Sequence, residues 1–268
     1  MILFYAYGSG LGHLNRILSY IRVREIELSS CIILTNSRHK GFLPQEIKMM
    51  YYPDSFFKNH ELFFSTLIQS IEKYAVYEFV VDVFPCGFYG ELSNLDRIKI
   101  KKTIVTRILK TSYFREHSSP RYDDLIILEK GIVLDYYRYS KALYLSINEG
   151  FIYSKEKLSL KKPFFFIIHS EPKEEVIQLY KLAQLYQKND EHIYIQTFSE
   201  MITFDVEDVT LIFSERPIRS LLEGSTKIFT ACGFNTFFAT QDYRQKQHFL
   251  PFKRRFDDQF KRKKCNQL

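Results

Sequence analysis

The chain has 268 residues, of which 46% are hydrophobic and 26% charged, the make-up of a folded protein with one large domain or two modest ones. Four widely spaced cysteines (Cys31, Cys86, Cys232 and Cys265) with no C-x-x-C speak against a disulfide framework or a zinc motif. The net charge is +7, and between Arg244 and Lys264 nine Lys or Arg stand against two Asp. That run reads either as a solvated helix face or as attraction to phosphorylated or membrane-surface ligands. No helix-turn-helix, RNP or finger pattern marks a nucleic-acid binder, and none is expected as a partner.

No apolar run approaches the roughly 18 to 20 residues that span a bilayer. The N-terminal apolar stretch ends after seven residues at a glycine loop and has no charged region before it, so no signal peptide is expected. The expected location is cytoplasmic, with peripheral contact at the inner face of the membrane an option left open by the basic run.

Ile2 to Tyr7 reads as a buried strand, followed by the turn Gly8-Ser9-Gly10-Leu11-Gly12-His13-Leu14-Asn15-Arg16. Leu14, Ile17, Leu18 and Ile21 then fall on one helix face. Cys31 to Thr35 is a second strand, Lys48 to Tyr52 a third, Leu62 to Tyr74 a helix, and Phe79 to Phe84 a strong strand stopped by Pro85. Thr103 to Thr106 is another strand, Leu109 to Tyr122 a long polar loop, and Leu125 to Leu128 and Ala142 to Leu145 are short strands. The charged stretch Ser154 to Lys162, ending at Pro163, is the linker candidate.

A second alternation begins with the strand Phe164 to Ile168 and the helix Lys173 to Lys188. His192 to Gln196 is a strand, Arg216 to Glu223 a helix, and Lys227 to Thr230 a strand that runs into Ala231-Cys232-Gly233-Phe234-Asn235-Thr236. Phe249 to Phe252 closes the sheet before a basic helix. Strands alternating with helices predict parallel sheets, hence an α/β chain of two Rossmann-like halves, 1–153 and 154–268, facing each other across a cleft.

The first loop is not a dinucleotide fingerprint. Its spacing is G-x-G-x-G, and the second strand ends in Thr35-Asn36-Ser37 without an acidic residue for a ribose. Nor does a Gly-Lys-Ser/Thr follow to make a Walker loop. Its glycines permit a sharp turn and close approach of a ligand, and the free N–H groups of the next helix suit an anion. His13 and Arg16, three apart, share a face of the first helical turns. A histidine there has a pKa that suits a base at neutral pH. Asp82, ending a buried strand, points to the same sheet edge, where it orients His13, acts as a base, or caps the turn before Pro85. Glu91 reads as a residue in a helix's first turn.

The Gly-His turn with a nearby Arg resembles the N-terminal signature of the GT-B glycosyltransferases, above all the family 28-like group of the lipid-linked N-acetylglucosaminyltransferase of peptidoglycan synthesis. Gly233-Phe234-Asn235-Thr236 and Pro251 to Gln259 resemble that group's donor-site segments, and Val80 to Leu92 a recurrent block in it. The nucleotide-sugar hydrolase of pseudaminic acid synthesis carries a similar Gly-His-x-x-Arg loop. The resemblance implies a nucleotide-sugar donor, UDP-linked, held by the C-terminal half. Gly233, Asn235 and Thr236 would lie at the diphosphate, and Gln259 at the donor sugar with Arg255 and Asp258 near it. His13 and Asp82 would be catalytic, with Gly10, Gly12, Asn15 and Arg16 contacting substrate in an acceptor-side N-terminal half.

The acceptor implied is a glycan or lipid-linked molecule. No cofactor or metal is implied, and no D-x-D occurs, only Asp123-Asp124 and Asp257-Asp258. The chain departs from the group at Ala239, where a ribose-binding Glu is usual. It departs again at His169-Ser170-Glu171-Pro172, which lacks the usual glycines and places Glu171 where it would repel a diphosphate. At 268 residues it is nearer the hydrolase in length. Inverting transferase, hydrolase and silent sugar-binding protein are therefore the three functional expectations.

Overall fold

The computed structural model describes the whole chain except Ser9, Lys157, Lys162, Glu171 and residues 189–190, 199–206 and 267–268. Glu171, expected to oppose a diphosphate, thus lies outside the described residues. Runs of apolar residues without alternation form strands buried on both faces, as the central strands of a parallel sheet must be. In chain order the first sheet's elements are β1 (Ile2–Ala6), α1 (Leu11–Val23), β2 (Cys31–Thr35), β3 (Lys48–Tyr51), α2 (Asp54–Lys58), α3 (His60–Lys73), β4 (Glu78–Asp82), β5 (Lys101–Thr106), α4 (Thr111–Glu116), β6 (Arg121–Ile127) and β7 (Arg138–Tyr144). They are followed by β8 (Phe164–Ile168), α5 (Lys173–Gln184), β9 (His192–Thr197), β10 (Val209–Phe213), α6 (Arg219–Gly224), β11 (Lys227–Thr230), α7 (Phe234–Ala239), β12 (Gln247–Phe249) and α8 (Gln259–Asn266).

The chain divides into two compact units. The first comprises Met1–Gly150 and the short segment Arg255–Asp258; the second comprises Phe151–Arg254 and α8. The first unit holds a seven-stranded sheet in the order β3-β2-β1-β4-β5-β6-β7, the second a five-stranded sheet in the order β10-β9-β8-β11-β12. Every pairing in the two ladders is parallel, with Ile2 level with Cys31 on one side and with Glu78 on the other. In each unit the strand order reverses beside the first strand, between β1 and β4 and between β8 and β11. Such a reversal opens a crevice at the carboxyl ends of the strands.

In the first unit, Leu3, Tyr5, Phe57, Phe63, Leu67, Phe79 and Val81 form the centre of the main core. The face of α1 predicted from Leu14, Ile17, Leu18 and Ile21 is buried, and so are Arg16, Ser19 and Tyr20. Ser19 is covered by Gly150, which packs against α1 and whose carbonyl accepts from Arg22 Nη1 at 3.0 Å, while Arg16 is turned inward. In the second unit, Phe165, Ile167, Val176, Leu179, Ile193, Ile195 and Phe229 join α5 to the sheet, and Phe164, Phe166, Ile218, Leu221 and Leu222 join α6 to its other face. No helix among the described residues is long and apolar enough to cross a membrane.

Several elements differ from the sequence expectation. β4 ends at Asp82 rather than at residue 84, because Val83 has φ +73 and the Phe84 N–H bonds to the Asp82 carbonyl at 3.0 Å. That is a three-residue turn with a β-branched residue in the left-handed region, which is strained and gives no sequence signal. The expected loop from 109 to 122 contains α4, a helix too short to show periodicity, anchored by the buried Tyr113. The short helix α2 and the half-buried edge strand β10 were not anticipated. β6 and β7 are longer than the apolar cores that announced them.

The basic C-terminal run is neither a uniformly solvated face nor wholly available to a ligand. Arg262 is fully buried and donates to the Cys232 carbonyl at 2.9 Å. Arg254 pairs with Glu175, and Arg244 lies 3.9 Å from the centre of the Phe237 ring while donating to the Phe237 carbonyl.

The packing of Gly150 is testable. A Cβ there would stand 2.5 Å from the Ser19 carbonyl oxygen and 2.7 Å from its Cα, and backbone cannot yield as a side chain can. Gly150→Ala is expected to destabilise the protein by about 1–3 kcal/mol. Gly41→Ala, where a Cβ meets nothing within 4 Å, is expected to leave the thermal midpoint nearly unchanged, and thermal unfolding of the pair checks both.

Candidate functional site

The glycine turn follows β1 and Asp82 ends β4, so the neighbouring strands at the reversal bring the two together at one sheet edge. His13 Nδ1 lies 2.6 Å from Asp82 Oδ2. Arg16 grips the same carboxylate with two bonds, Nε to Oδ1 and Nη2 to Oδ2, each 2.6 Å. Asp82 is 0% and Arg16 1% exposed, whereas the His13 side chain keeps 14% of its surface open. Such a planar, two-bond guanidinium–carboxylate pair is the geometry in which buried charges are best satisfied.

The electrostatics assign protons to this group. Burial alone would raise the Asp82 pKa, but the Arg16 charge and the His13 contact overcome it and bring it to about 2. Burial lowers the His13 pKa to about 4; Asp82 opposes that shift, and Arg16 and Arg107 reinforce it. Asp82 favours the charged form of His13 through its charge and its hydrogen bond, but burial outweighs it. At neutral pH Asp82 is an acceptor only, so His13 Nδ1 carries the hydrogen that donates to Oδ2 and Nε2 keeps its lone pair. The 3.2 Å approach of Arg16 Nη2 to Nδ1 is then two donors sharing one oxygen.

Gly8 is the glycine that the site requires. A Cβ on it would stand 2.3 Å from His13 Cδ2 and 2.9 Å from Nε2, so the imidazole lies against bare backbone. Gly8 N–H donates to Asn36 Oδ1 at 2.6 Å, and Asn36 in turn donates to Asp54, so the end of β2 braces the turn. Gly10, expected at the substrate, is exposed with φ −90°, and a Cβ there meets nothing within 4 Å. Gly12 is exposed and Asn15 half-buried. Arg16, also expected at the substrate, is turned inward to Asp82 instead.

The loop after β4 forms the floor beside His13. Phe84 stacks on the His13 ring at 5.8 Å, and Phe88 lies 5.2 Å from Phe84 and 4.9 Å from Tyr7. Gly87 and Gly90 have φ of +80° and +92°, values that a side chain rarely adopts. Glu91 is not in a helix's first turn; it is 2% exposed and folds under the loop, accepting from the Tyr5 hydroxyl and from the Tyr89 N–H. Burial raises its pKa. Tyr113 accepts from the Cys86 N–H and donates to the Gly87 carbonyl, and Tyr122 donates to the Pro85 carbonyl. These buried hydroxyls fix the loop, and sequence reasoning had no means to pair them with it.

In the second unit, Gly233 is the N-cap of α7, and Asn235 and the half-buried Thr236 occupy its first turn. Gln259 comes to the same turn but is 2% exposed. Its Oε1 accepts from Cys232 N at 3.2 Å and from Phe252 N at 3.0 Å, while its Nε2 would lie 4.0 Å from a Cβ on Gly233. Ala239 is 5% exposed, and its carbonyl accepts from the Tyr153 hydroxyl at 2.6 Å. Arg255 and Asp258, expected near the donor sugar, belong to the first unit. Arg255 lies 3.5 Å from Glu116 and over the Phe88 and Phe256 rings.

Two groups were missed. His169, just after β8, meets Glu175 at 2.7 Å, and Glu175 pairs with Arg254, an arrangement that parallels His13, Asp82 and Arg16 in the first unit. The available signal was a histidine at the carboxyl end of a unit's first strand. Arg107, just beyond β5, lies 3.6 Å from Asp257 and acts electrostatically on His13.

No protein-family model and no curated protein sequence matches the chain. Solved structures do. The glycosyltransferase SnogD from Streptomyces nogalater aligns with a TM-score of 0.59 at 10% identity, over 94% of this chain and 82% of that one. MnaA of S. aureus, solved with UDP, aligns at 0.61 and 10% identity, over 98% and 81%. The spinosyn rhamnosyltransferase SpnG, solved with thymidine diphosphate, aligns at 0.62 and 11% identity, over 98% and 83%. The fold is therefore GT-B-like, built of two Rossmann-like α/β units.

Two outcomes test the His13 group. Gly8→Ala is expected to displace the imidazole and Gly10→Ala to cost under about 1 kcal/mol, which the histidine NMR signals of the two variants compare directly. The acid dependence follows from the lowered pKa values. The folded protein resists protonation at His13 between its ordinary 6.5 and about 4, and at Asp82 between 3.8 and about 2. In both windows the unfolded chain binds more protons, so stability present at higher pH is lost as pH falls. Denaturant unfolding across pH should show the upper window flattened in His13→Gln. Asp82→Asn, which strands buried Arg16, should lose about 3–5 kcal/mol.

Proposed function

We propose that the chain is a metal-independent, inverting glycosyltransferase that takes a sugar from a UDP-linked donor. The observation that carries this reading is a neutral imidazole at a sheet reversal. Its Nδ1 is engaged by a buried carboxylate that Arg16 holds ionised, and its Nε2 has a lone pair. Nε2 takes the proton of the acceptor hydroxyl as that oxygen attacks the anomeric carbon, and Asp82 stabilises the imidazolium that forms. The carbon–oxygen bond to the diphosphate breaks, and the electron pair leaves with the nucleotide.

The diphosphate is assigned to the Gly233–Thr236 turn of the second unit, whose N–H groups and Thr236 hydroxyl suit an anion. Fold neighbours solved with UDP and thymidine diphosphate support a nucleotide-sugar donor. Ala239, buried at 5% exposure, supplies no side-chain acceptor for the ribose hydroxyls, so other groups must hold the ribose. The acceptor is assigned to the first unit and taken to be a glycan or lipid-linked hydroxyl.

Turnover against a panel of UDP-sugars and candidate acceptors tests the reading. His13→Ala is expected to lower the rate at least about 100-fold while calorimetric UDP-sugar affinity changes less than about twofold. Activity surviving within a few fold removes His13 as the base. Undiminished release of free sugar without an acceptor identifies a hydrolase instead.

A further inference from the structure

Outside the His13 group, the loop after β4 gathers basic side chains from parts of the chain far apart in sequence. Gly90 lies between two imidazoles: a Cβ there would stand 3.3 Å from His117 Nδ1 and 3.6 Å from His60 Cε1. Lys58 Nζ sits 5.2 Å from the centre of the Tyr89 ring, and the Arg255 guanidinium 5.3 Å from that of Phe88. Thus α2, the first residue of α3, the residue capping α4 and the segment 255–258 each bring one basic group to three consecutive residues, Phe88 to Gly90. Lys58, His60 and Arg255 are exposed, and Glu116, half open to solvent, lies 3.5 Å from Arg255. Glu91 lies beneath the loop, occupied by Tyr5 and the Tyr89 N–H. Burial depresses the proton affinity of His117, and the charges of Arg255 and His60 add to this against Glu116.

The cluster adjoins the proposed base. Ring contacts run from His13 to Phe84 at 5.8 Å, Phe84 to Phe88 at 5.2 Å and Phe88 to Tyr89 at 5.1 Å. Phe88 and Tyr89 are half-buried beside these basic groups. A partly open aromatic surface bordered by Lys, Arg and two imidazoles suits a ligand that lays the C–H face of a sugar ring on the aromatics and carries a multiply charged anion.

We propose that Lys58, His60, His117 and Arg255 form a subsite for a phosphate group on the acceptor, whose sugar ring rests on Phe88 and Tyr89. This rests on the transferase reading above and adds the chemical class of the acceptor, a phosphorylated sugar. A phosphate carries more charge than a carboxylate and accepts from several N–H groups at once, which matches donors arriving from four directions.

The same phosphate chemistry can come from a soluble sugar phosphate or from a lipid headgroup. Calorimetry with glucose 1-phosphate and flotation with phosphatidylcholine vesicles doped with phosphatidic acid separate the two sources. The expected result is that at least one probe binds the full chain and that binding weakens with added salt and by about tenfold in Lys58→Gln/Arg255→Gln. Lys58→Glu should weaken it further, and thermal unfolding checks that these exposed substitutions leave the fold intact. Binding of neither probe, equal binding of glucose and glucose 1-phosphate, or unchanged affinity in the folded double variant overturns the subsite. UDP-N-acetylglucosamine is titrated into the same samples. Should it fail to bind wild type while a phosphate probe binds in the expected charge-dependent way, the donor reading fails and the phosphate subsite stands.

Discussion

The buried pair between Arg16 and Asp82 is the constraint from which the rest of the first unit's site follows. Two full charges with 1% and 0% exposure persist only because each satisfies the other in a two-bond geometry. That pairing keeps α1 in register with the end of β4 and so fixes the height at which His13 emerges from the helix. It also decides the histidine's chemistry. Asp82 orients the ring and favours its protonated form, but burial, with the charges of Arg16 and Arg107, outweighs that pull. The result is a neutral imidazole with a defined tautomer.

Around this pair the protein spends its unusual aromatic content on support. Tyr5, Tyr113 and Tyr122 turn hydroxyls to the backbone or carboxylate of the loop after β4, while Phe84, Phe88 and Phe256 pack among them. A strained turn at Val83 and two left-handed glycines would leave such a loop mobile if solvated. Buried hydrogen bonds over-determine it. The segment around Phe256 takes part directly, since its carbonyl accepts from Lys110 N–H at 2.7 Å and Asp257 bridges to Leu109. Residues near the end of the sequence therefore complete the first unit.

The second unit solves a similar problem with other residues. Its turn at Cys232 and Gly233 is held from behind by Gln259 and Arg262, both nearly or fully buried on α8. The basic C-terminal helix thus has a structural task that composition alone would not show. His169, Glu175 and Arg254 repeat the grouping of histidine, carboxylate and arginine at the other reversal, though here the carboxylate comes from the first turn of α5 instead of a strand end.

Uninterrupted apolar runs announced the central strands, because a parallel strand buried on both faces needs apolar residues throughout; β2, β8 and β11 fall where those runs fall. The alternation with helical stripes predicted two α/β halves, and the turn after β1 announced His13. Short or half-exposed pieces such as α2, α4 and β10 escaped notice, since their few anchors, Tyr113 among them, show no period. The opposite failing attended polar residues. Arg16, Arg262 and Gln259 read as surface or ligand-facing groups and Glu91 as one in a helix's first turn, yet all four are buried. Local sequence states that a residue can carry charge or donate a hydrogen bond, and it determined the central strands, the longer helices and the glycine turns between them. Which partner each polar group meets depends on side chains tens of residues away, as Asp82 does for Arg16, and only the order of strands in the folded sheet brings them within bonding distance.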